Sequence, residues 1–276
     1  MIRLIINADD LGSGPGRDKG ILWAFQEGLI SSASILANGP TFQEAAQRAL
    51  HHGLPIGVHL NLSEGRPLTG ALPGITDNRG SLPGKYRLRS LLDRPLRNAR
   101  DIFDELSAQV SRVIEAGLQP DHLDTHQHFF LFPELTDMVI AVAREHGIPA
   151  LRLPLPAEEV VGPVPPLLAR EMSLYRRLAP AAATKIQKSG LFAPEGLLGM
   201  SLLHDLTKES LCRVLQQLPD GTWELMVHPG YPDMEGSFSG PQRLKELQAL
   251  ASSSFQTLLA ARQVQTTTFG ALACAF

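Results

Sequence analysis

The feature that most constrains this chain is an alternation. Short apolar runs rich in β-branched residues recur between stretches of helical periodicity along most of its length. Ile2–Ile6, Ser32–Leu36, Ile56–Leu62, His122–His126, Ala150–Leu153, Trp223–Val227 and Val264–Thr268 read as strands. Asp18–Gln26, Phe42–His51, Ala99–Ala116, Glu134–His146, Lys208–Leu218 and Gln242–Ala261 read as helices. Thr41 fits an N-cap, and Gly28, Gly53 and Gly147 stand just past helix ends. About seven strands alternating with helices predict parallel pairing through right-handed crossovers. A (β/α) barrel and a doubly wound sheet both satisfy that pattern. Two passages, Ser63–Pro95 and Pro154–Leu203, interrupt it and are expected to be loops over a site rather than linkers. Residues 1–276 are accordingly expected to form one domain.

Composition narrows the function classes. With 43% hydrophobic and 19% charged residues the chain is a folding one, not a disordered one. A formal net charge of −3 argues against nucleic-acid binding through bulk positive charge. Cys212 and Cys274 are far apart, so no disulfide framework is expected. The sequence enters its first strand without a basic region and apolar leader, and no apolar run reaches membrane-spanning length. A cytoplasmic chain without a membrane span is the expectation.

In either parallel architecture, functional groups gather at the C-terminal ends of the strands. Asp9 and Asp10, within NADDLG, follow the first strand, and His59 lies in GVHLNL. HLDTHQH carries His122, Asp124, His126 and His128 at one parity, which places them on one face if the segment is extended. Arg152 stands in LRLP, and His228 opens HPG after WELMV. On an extended segment Asp9 and Asp10 would point in opposite directions and so serve different jobs. Imidazoles with a carboxylate can hold a divalent cation and leave room for water and substrate. A second carboxylate can act as base, a histidine as acid, and an arginine can aim the base. Such parts serve phosphoester and amide hydrolysis alike.

NADDLG, SASILANGP, GVHLNL, EGRPLT, HLDTHQHFFLFPE, RLP and HPG, in this order, resemble the YdjC-like (ChbG-type) carbohydrate deacetylase family, with some likeness to its hopanoid-biosynthesis-associated branch. The resemblance covers most of residues 1–155 and returns at Leu225–Gly230. It implies a distorted (β/α) barrel that removes acetyl groups from N-acetylated amino sugars with one divalent metal ion. Mg²⁺ or Zn²⁺ leads that expectation, with Mn²⁺, Co²⁺ and Ni²⁺ as alternatives. Carried over by motif, Asp10, His59 and His126 would be metal ligands, Asp9 the base, His228 the acid, Arg152 the brace of Asp9, and His128 a substrate contact. The apolar stretches Pro163–Leu168 and Phe129–Phe132 leave room for a lipid-linked substrate, and a homodimer is compatible with the sequence. Two departures from the family pattern stand out. Phe130 occupies a place where a further histidine is common, and the glycine-rich GSGPGRD follows Leu11. The rival expectations are a sugar-binding protein that lost catalysis, and another metallohydrolase such as a phosphodiesterase, which would need two metals.

Overall fold

The computed structural model describes residues 1–93, 95–96, 98–158, 164–203, 205–233 and 238–275. Its strands are β1 (Ile2–Leu11), β2 (Ser32–Ile35), β3 (Ile56–Leu60), β4 (His122–Thr125), β5 (Ala150–Leu151), β6 (Gly196–Leu198), β7 (Gly221–Val227) and β8 (Gln265–Thr267). Around them lie α1 (Pro15–Gln26), α2 (Phe42–His52), α3 (Lys85–Leu92), α4 (Ala99–Glu115), α5 (Pro133–Glu145) and α6 (Pro166–Ser189). The series closes with α7 (Lys208–Gln217), α8 (Gln242–Leu250), α9 (Ser253–Ala261) and α10 (Phe269–Ala273).

Every strand pair is parallel, in the order β5-β4-β3-β2-β1-β7-β6. Parallel bridges from Ala150 to Phe192 and from Pro156 to Leu197 connect the β5 end of this sheet to the β6 end. The sheet is thereby curled into a distorted barrel, as expected. The distortion centres on β1, whose first half (Arg3–Ile5) pairs with β8 while Asn7–Leu11 pairs with β2. Its length and its buried run of Leu4, Ile5, Ile6 and Ala8 reflect that double duty. The helices bury their apolar faces on this sheet. In α4, for example, Ile102, Leu106, Val110 and Val113 recur at helical spacing and are all buried.

Several boundaries differ from the sequence expectation, each for a local reason. The predicted strand His122–His126 ends at Thr125, where a 3₁₀ segment His126–Leu131 begins. The predicted helix Gln242–Ala261 is two helices, because the Ser252 hydroxyl accepts the Phe255 amide and starts α9 afresh. Thr41 does sit at the N-cap of α2, but its hydroxyl donates to Asp18 Oδ2 (2.5 Å) instead of capping. The interrupting passages contain helices. Pro154–Leu203 holds the 24-residue α6, hidden from sequence by Pro180 inside it, and Ser63–Pro95 holds α3. Pro163 of the expected apolar stretch lies outside the described residues. Among the described residues no helix is long and apolar enough to cross a membrane.

Candidate metal centre and its cavity

A cavity of about 340 Å³ opens at the C-terminal ends of the strands. Asp9, Asp10, His59, His126, His128 and His228 all line it, which brings together six of the seven residues given a role by the family resemblance. The seventh, Arg152, is buried beneath the floor against Asp9.

Asp10, next to the last residue of β1, has φ 69°, a left-handed conformation rare for a residue with a side chain. This kink overturns the expectation that Asp9 and Asp10 point apart, because strand alternation stops there and both carboxylates reach one cavity. The turn is secured locally. Ser13 N–H donates to Asp10 O (3.1 Å), and Gly12 N–H donates to Asp18 Oδ1 (2.6 Å). The HLDTHQH segment departs from extended geometry in the same way. Gln127 (φ 60°) and His128 (φ 59°) are left-handed, so His126 and His128 arrive by a tight turn and not along a strand face. His122 stays behind in the barrel interior, stacked on Phe269 and bonded to Ser34 and Asp121.

Asp10 Oδ1 lies 3.0 Å from His126 Nδ1 and 3.4 Å from His59 Nε2, and the two nitrogens are 3.2 Å apart. Those edges suit one ion held by bonds of about 2.0–2.2 Å. Asp10 Oδ1 is buried without a hydrogen-bond partner, which fits a donor set shaped for a cation. These three residues form one group able to hold a metal. Asp10 Oδ2 is taken by Arg17 Nη1 (2.9 Å), leaving Oδ1 to face the histidines. His59 turns its other nitrogen, Nδ1, to Asp124 Oδ2 (2.9 Å), which fixes the ring.

A second group with suitable spacing, Asp9, His59 and Asp124, is already engaged by a cation of the chain itself. Arg152 Nη1 lies 2.7 Å from Asp124 Oδ2 and 2.7 Å from Asp9 Oδ2, while Nη2 donates to Asp9 Oδ1 (2.6 Å). The same guanidinium donates through Nε to Glu224 Oε1 (2.8 Å). A cation is therefore built into the place where a second ion would sit, which argues against a two-metal site.

The charges follow this layout. Burial pushes Asp10 up, but His126, His59 and Arg17 outweigh it and hold the carboxyl well below its usual range. Burial opposes a charge on His59, yet Asp124, Asp9 and Asp10 raise it to about 10. For His126 burial is likewise outweighed, by Asp10 and then Glu64, and its pKa rises to about 9. His128 and His228 go the other way. Burial lowers His128 well below the ordinary histidine range, with Arg152 and Lys85 adding to it. Burial lowers His228 too, Asp10 opposing and Arg243 and Arg17 reinforcing.

Around this floor, the interrupting passages form walls as expected. Glu64 and Lys85 come from Ser63–Pro95, and Leu168, Glu171, Tyr175, Met200 and Leu203 from Pro154–Leu203. The first passage is tied down by α4, where buried Glu105 accepts from Leu68 N–H (3.0 Å) and Thr69 N–H (2.8 Å). Lys85 (2.7 Å) and Arg89 (3.0 Å) both pair with Glu171, clasping α3 to α6 at the wall. Phe129–Phe132, expected to leave room for a lipid, are instead packed in the core, Phe130 included. Their backbone turn, with Phe130 N–H donating to Thr125 Oγ1 (3.1 Å), directs the aromatic rings inward.

Sequence reasoning left out Arg17, Glu224, Arg243 and Glu246. Glu224 could have been found as the one charge within the apolar strand WELMV. Arg17 lay inside the atypical GSGPGRD stretch. Glu246 and Arg243, on α8, hold the HPG turn, with His228 N–H donating to Glu246 Oε2 (2.6 Å) and Arg243 pairing with Glu246 Oε1 (2.8 Å). No local signal marks those two. Gly20 is needed where α1 meets that turn, since a Cβ there would come 2.4 Å from Gly230 Cα.

The fold and site define an α/β-barrel protein with a candidate single-metal centre at its strand ends. The chain belongs to the YdjC-like protein family, whose model matches residues 3–261. A carbohydrate deacetylase of Mus musculus is 34% identical over 289 residues, covering 96% of this chain and 93% of that protein. A chitooligosaccharide deacetylase of Serratia marcescens is 32% identical over 264 residues, covering 94% of each. In structure, the chain is similar to an Enterococcus faecalis V583 protein with a TM-score of 0.76 and 23% identity, covering 98% of both.

Proposed function

We propose that this protein is a metal-dependent hydrolase that removes the acetyl group from an N-acetylated amino sugar. The observation that carries the reading is the donor triangle of Asp10, His59 and His126 beside an arginine-braced carboxylate, Asp9, in one cavity. The named activities of the relatives support the substrate class.

Asp10, His59 and His126 would hold one divalent ion. When bound, that ion polarises the acetamide carbonyl and makes water more acidic. Asp9 takes the proton of the water that adds to the acetyl carbon. Arg152 keeps both Asp9 oxygens aimed. His228 passes a proton to the amine nitrogen as the C–N bond breaks; its buried, cation-flanked setting keeps the imidazole neutral at rest, so the proton it passes on is the one Asp9 has taken from the water. His128 lines the substrate side, edge-on to Tyr175. Leu36, Leu168, Met200, Leu203 and Met226 give the remaining wall an apolar character that suits a lipid-bearing substrate. We take residues 1–276 as one catalytic domain working in the cytoplasm. Acetate release across a panel of N-acetylated sugars and glycolipids tests the reading, and release from none of them would sink it.

Two expectations arise from the donor set. His59→Ala or His126→Ala should abolish stoichiometric metal while thermal unfolding stays cooperative, and His128→Ala should keep its metal. Metal content of the purified variants decides this, and full metal in both ligand variants would refute the assignment. The second expectation concerns pH. With pKa values raised to about 10 and about 9, His59 and His126 carry protons at pH 7 before an ion arrives. Binding must expel them, so affinity rises with pH until about pH 10 and falls as pH drops. Calorimetry in buffers of different ionisation heat should register at least one proton released per ion near pH 7.

A further inference from the structure

The two candidate histidine ligands have unequal support. His59 leans on Asp124, which is fully enclosed and fixed by Arg152. His126 turns Nδ1 toward Asp10 and His59, so as a neutral ligand through Nδ1 it must carry its proton on Nε2. That Nε2 is buried and makes no hydrogen bond, an arrangement that costs free energy unless an acceptor comes within reach. The facing acceptor is Glu64 Oε1, 3.6 Å away.

Glu64 is placed there by its backbone. Asn61 Oδ1 accepts from Glu64 N–H (3.1 Å), while Asn61 Nδ2 (2.8 Å) and Asn38 Nδ2 (3.2 Å) both donate to Glu64 O. Asn61 follows β3 directly, so the strand that carries His59 also sets the height of Glu64. The carboxylate itself receives Gln127 Nε2 at 3.0 Å, from the residue next to His126. A small rotation of this half-exposed side chain would close the remaining gap.

We propose that Glu64 is the outer carboxylate partner of His126, a positioning residue that fixes the ring with Nδ1 toward the ion. The inference rests on the metal-site reading above. It makes His126 the adjustable ligand, since its partner stands on the cavity wall within reach of an entering substrate, whereas the partner of His59 does not. Neutral replacement and deletion should separate. Glu64→Gln keeps an acceptor oxygen for Nε2–H, while Glu64→Ala leaves that donor buried and unpaired.

The test is metal affinity, measured by chelator competition with Zn²⁺ and by the ligand-field spectrum with Co²⁺, independent of turnover. Glu64→Ala should bind about 10–100-fold more weakly with a changed Co²⁺ spectrum, and Glu64→Gln should recover most of the affinity. Thermal unfolding of the metal-free variants should match the parent, because Glu64 is half-exposed. Affinity within twofold of the parent for Glu64→Ala would overturn the proposal, as would a raised KM with unchanged metal affinity, which would make Glu64 a substrate contact. If the parent itself binds no ion, this inference falls together with the proposed function. If the parent binds and Glu64→Ala binds equally, only this inference falls.

Discussion

Asp9→Asn should lower turnover by roughly 10²–10⁴-fold, the usual worth of a positioned base, while metal and substrate still bind. The expectation follows from how Asp9 is held. Its Oδ1 accepts from Asn7 Nδ2 (2.8 Å) and Arg152 Nη2 (2.6 Å), and its Oδ2 accepts from Arg152 Nη1 (2.7 Å). An amide keeps the shape but has one acceptor oxygen, so one of these donors meets an NH₂ group and some stability is lost with the base. Rate and metal content measured on one sample separate the effects. Asp10→Asn should fail in the opposite order, losing metal affinity first and regaining part of its rate in excess metal. Full activity in Asp9→Asn would put the base elsewhere.

Arg152→Ala is expected to be the most destabilising single change at the site. The side chain is 1% exposed and joins Asp9, Asp124 and Glu224, all buried. Its removal leaves three enclosed carboxylates without their cation, an uncompensated burial that costs about 3–5 kcal/mol where one buried pair is broken. Arg152→Lys should recover only part of this, because one ammonium cannot bridge three carboxylates as a guanidinium does. The pH dependence should weaken. In the parent, burial pushes Asp124 up but Arg152 and His59 prevail and lower it, so its contribution is present above the unfolded carboxyl pKa and is lost on acidification. In Arg152→Ala the first of the attractions that hold Asp124 down is gone and burial pushes its carboxyl upward, so the variant should lose less stability than the parent as pH falls. Denaturant unfolding at pH 5 and pH 8 reads both effects.

How much of this was legible in the sequence differs between scaffold and site. The alternation of β-branched runs and helical periods disclosed the parallel barrel, because a buried parallel strand has to be apolar on both faces. It did not disclose α6, since Pro180 reads as a breaker and only tertiary packing of Tyr175, Ala179 and Ala182 keeps the helix going around it. At the site, the motif residues were visible because aspartate and histidine at strand ends lack a packing reason to be there. Their geometry was hidden by backbone conformation. Alternation separates Asp9 from Asp10 and aligns His122 with His128, but left-handed residues at Asp10, Gln127 and His128 undo both inferences. Glu224 and Arg17 were passed over for a related reason. Each is charged and deeply buried, and its partner, Arg152 or Asp10, lies far away or across a turn. No periodicity encodes such pairings. Arg243 and Glu246, on a helix with an ordinary sequence, are recognisable only once α8 is seen against the HPG turn.

The most direct test is a titration of metal-stripped protein with Zn²⁺ or Mg²⁺ in which bound ion and acetate released from an N-acetylated amino sugar are measured together. The rate should climb in proportion to the ion bound and level off at about one ion per chain, as expected for a single three-ligand site. A full rate in the stripped protein, or a rate that levels off only at two ions, would contradict it.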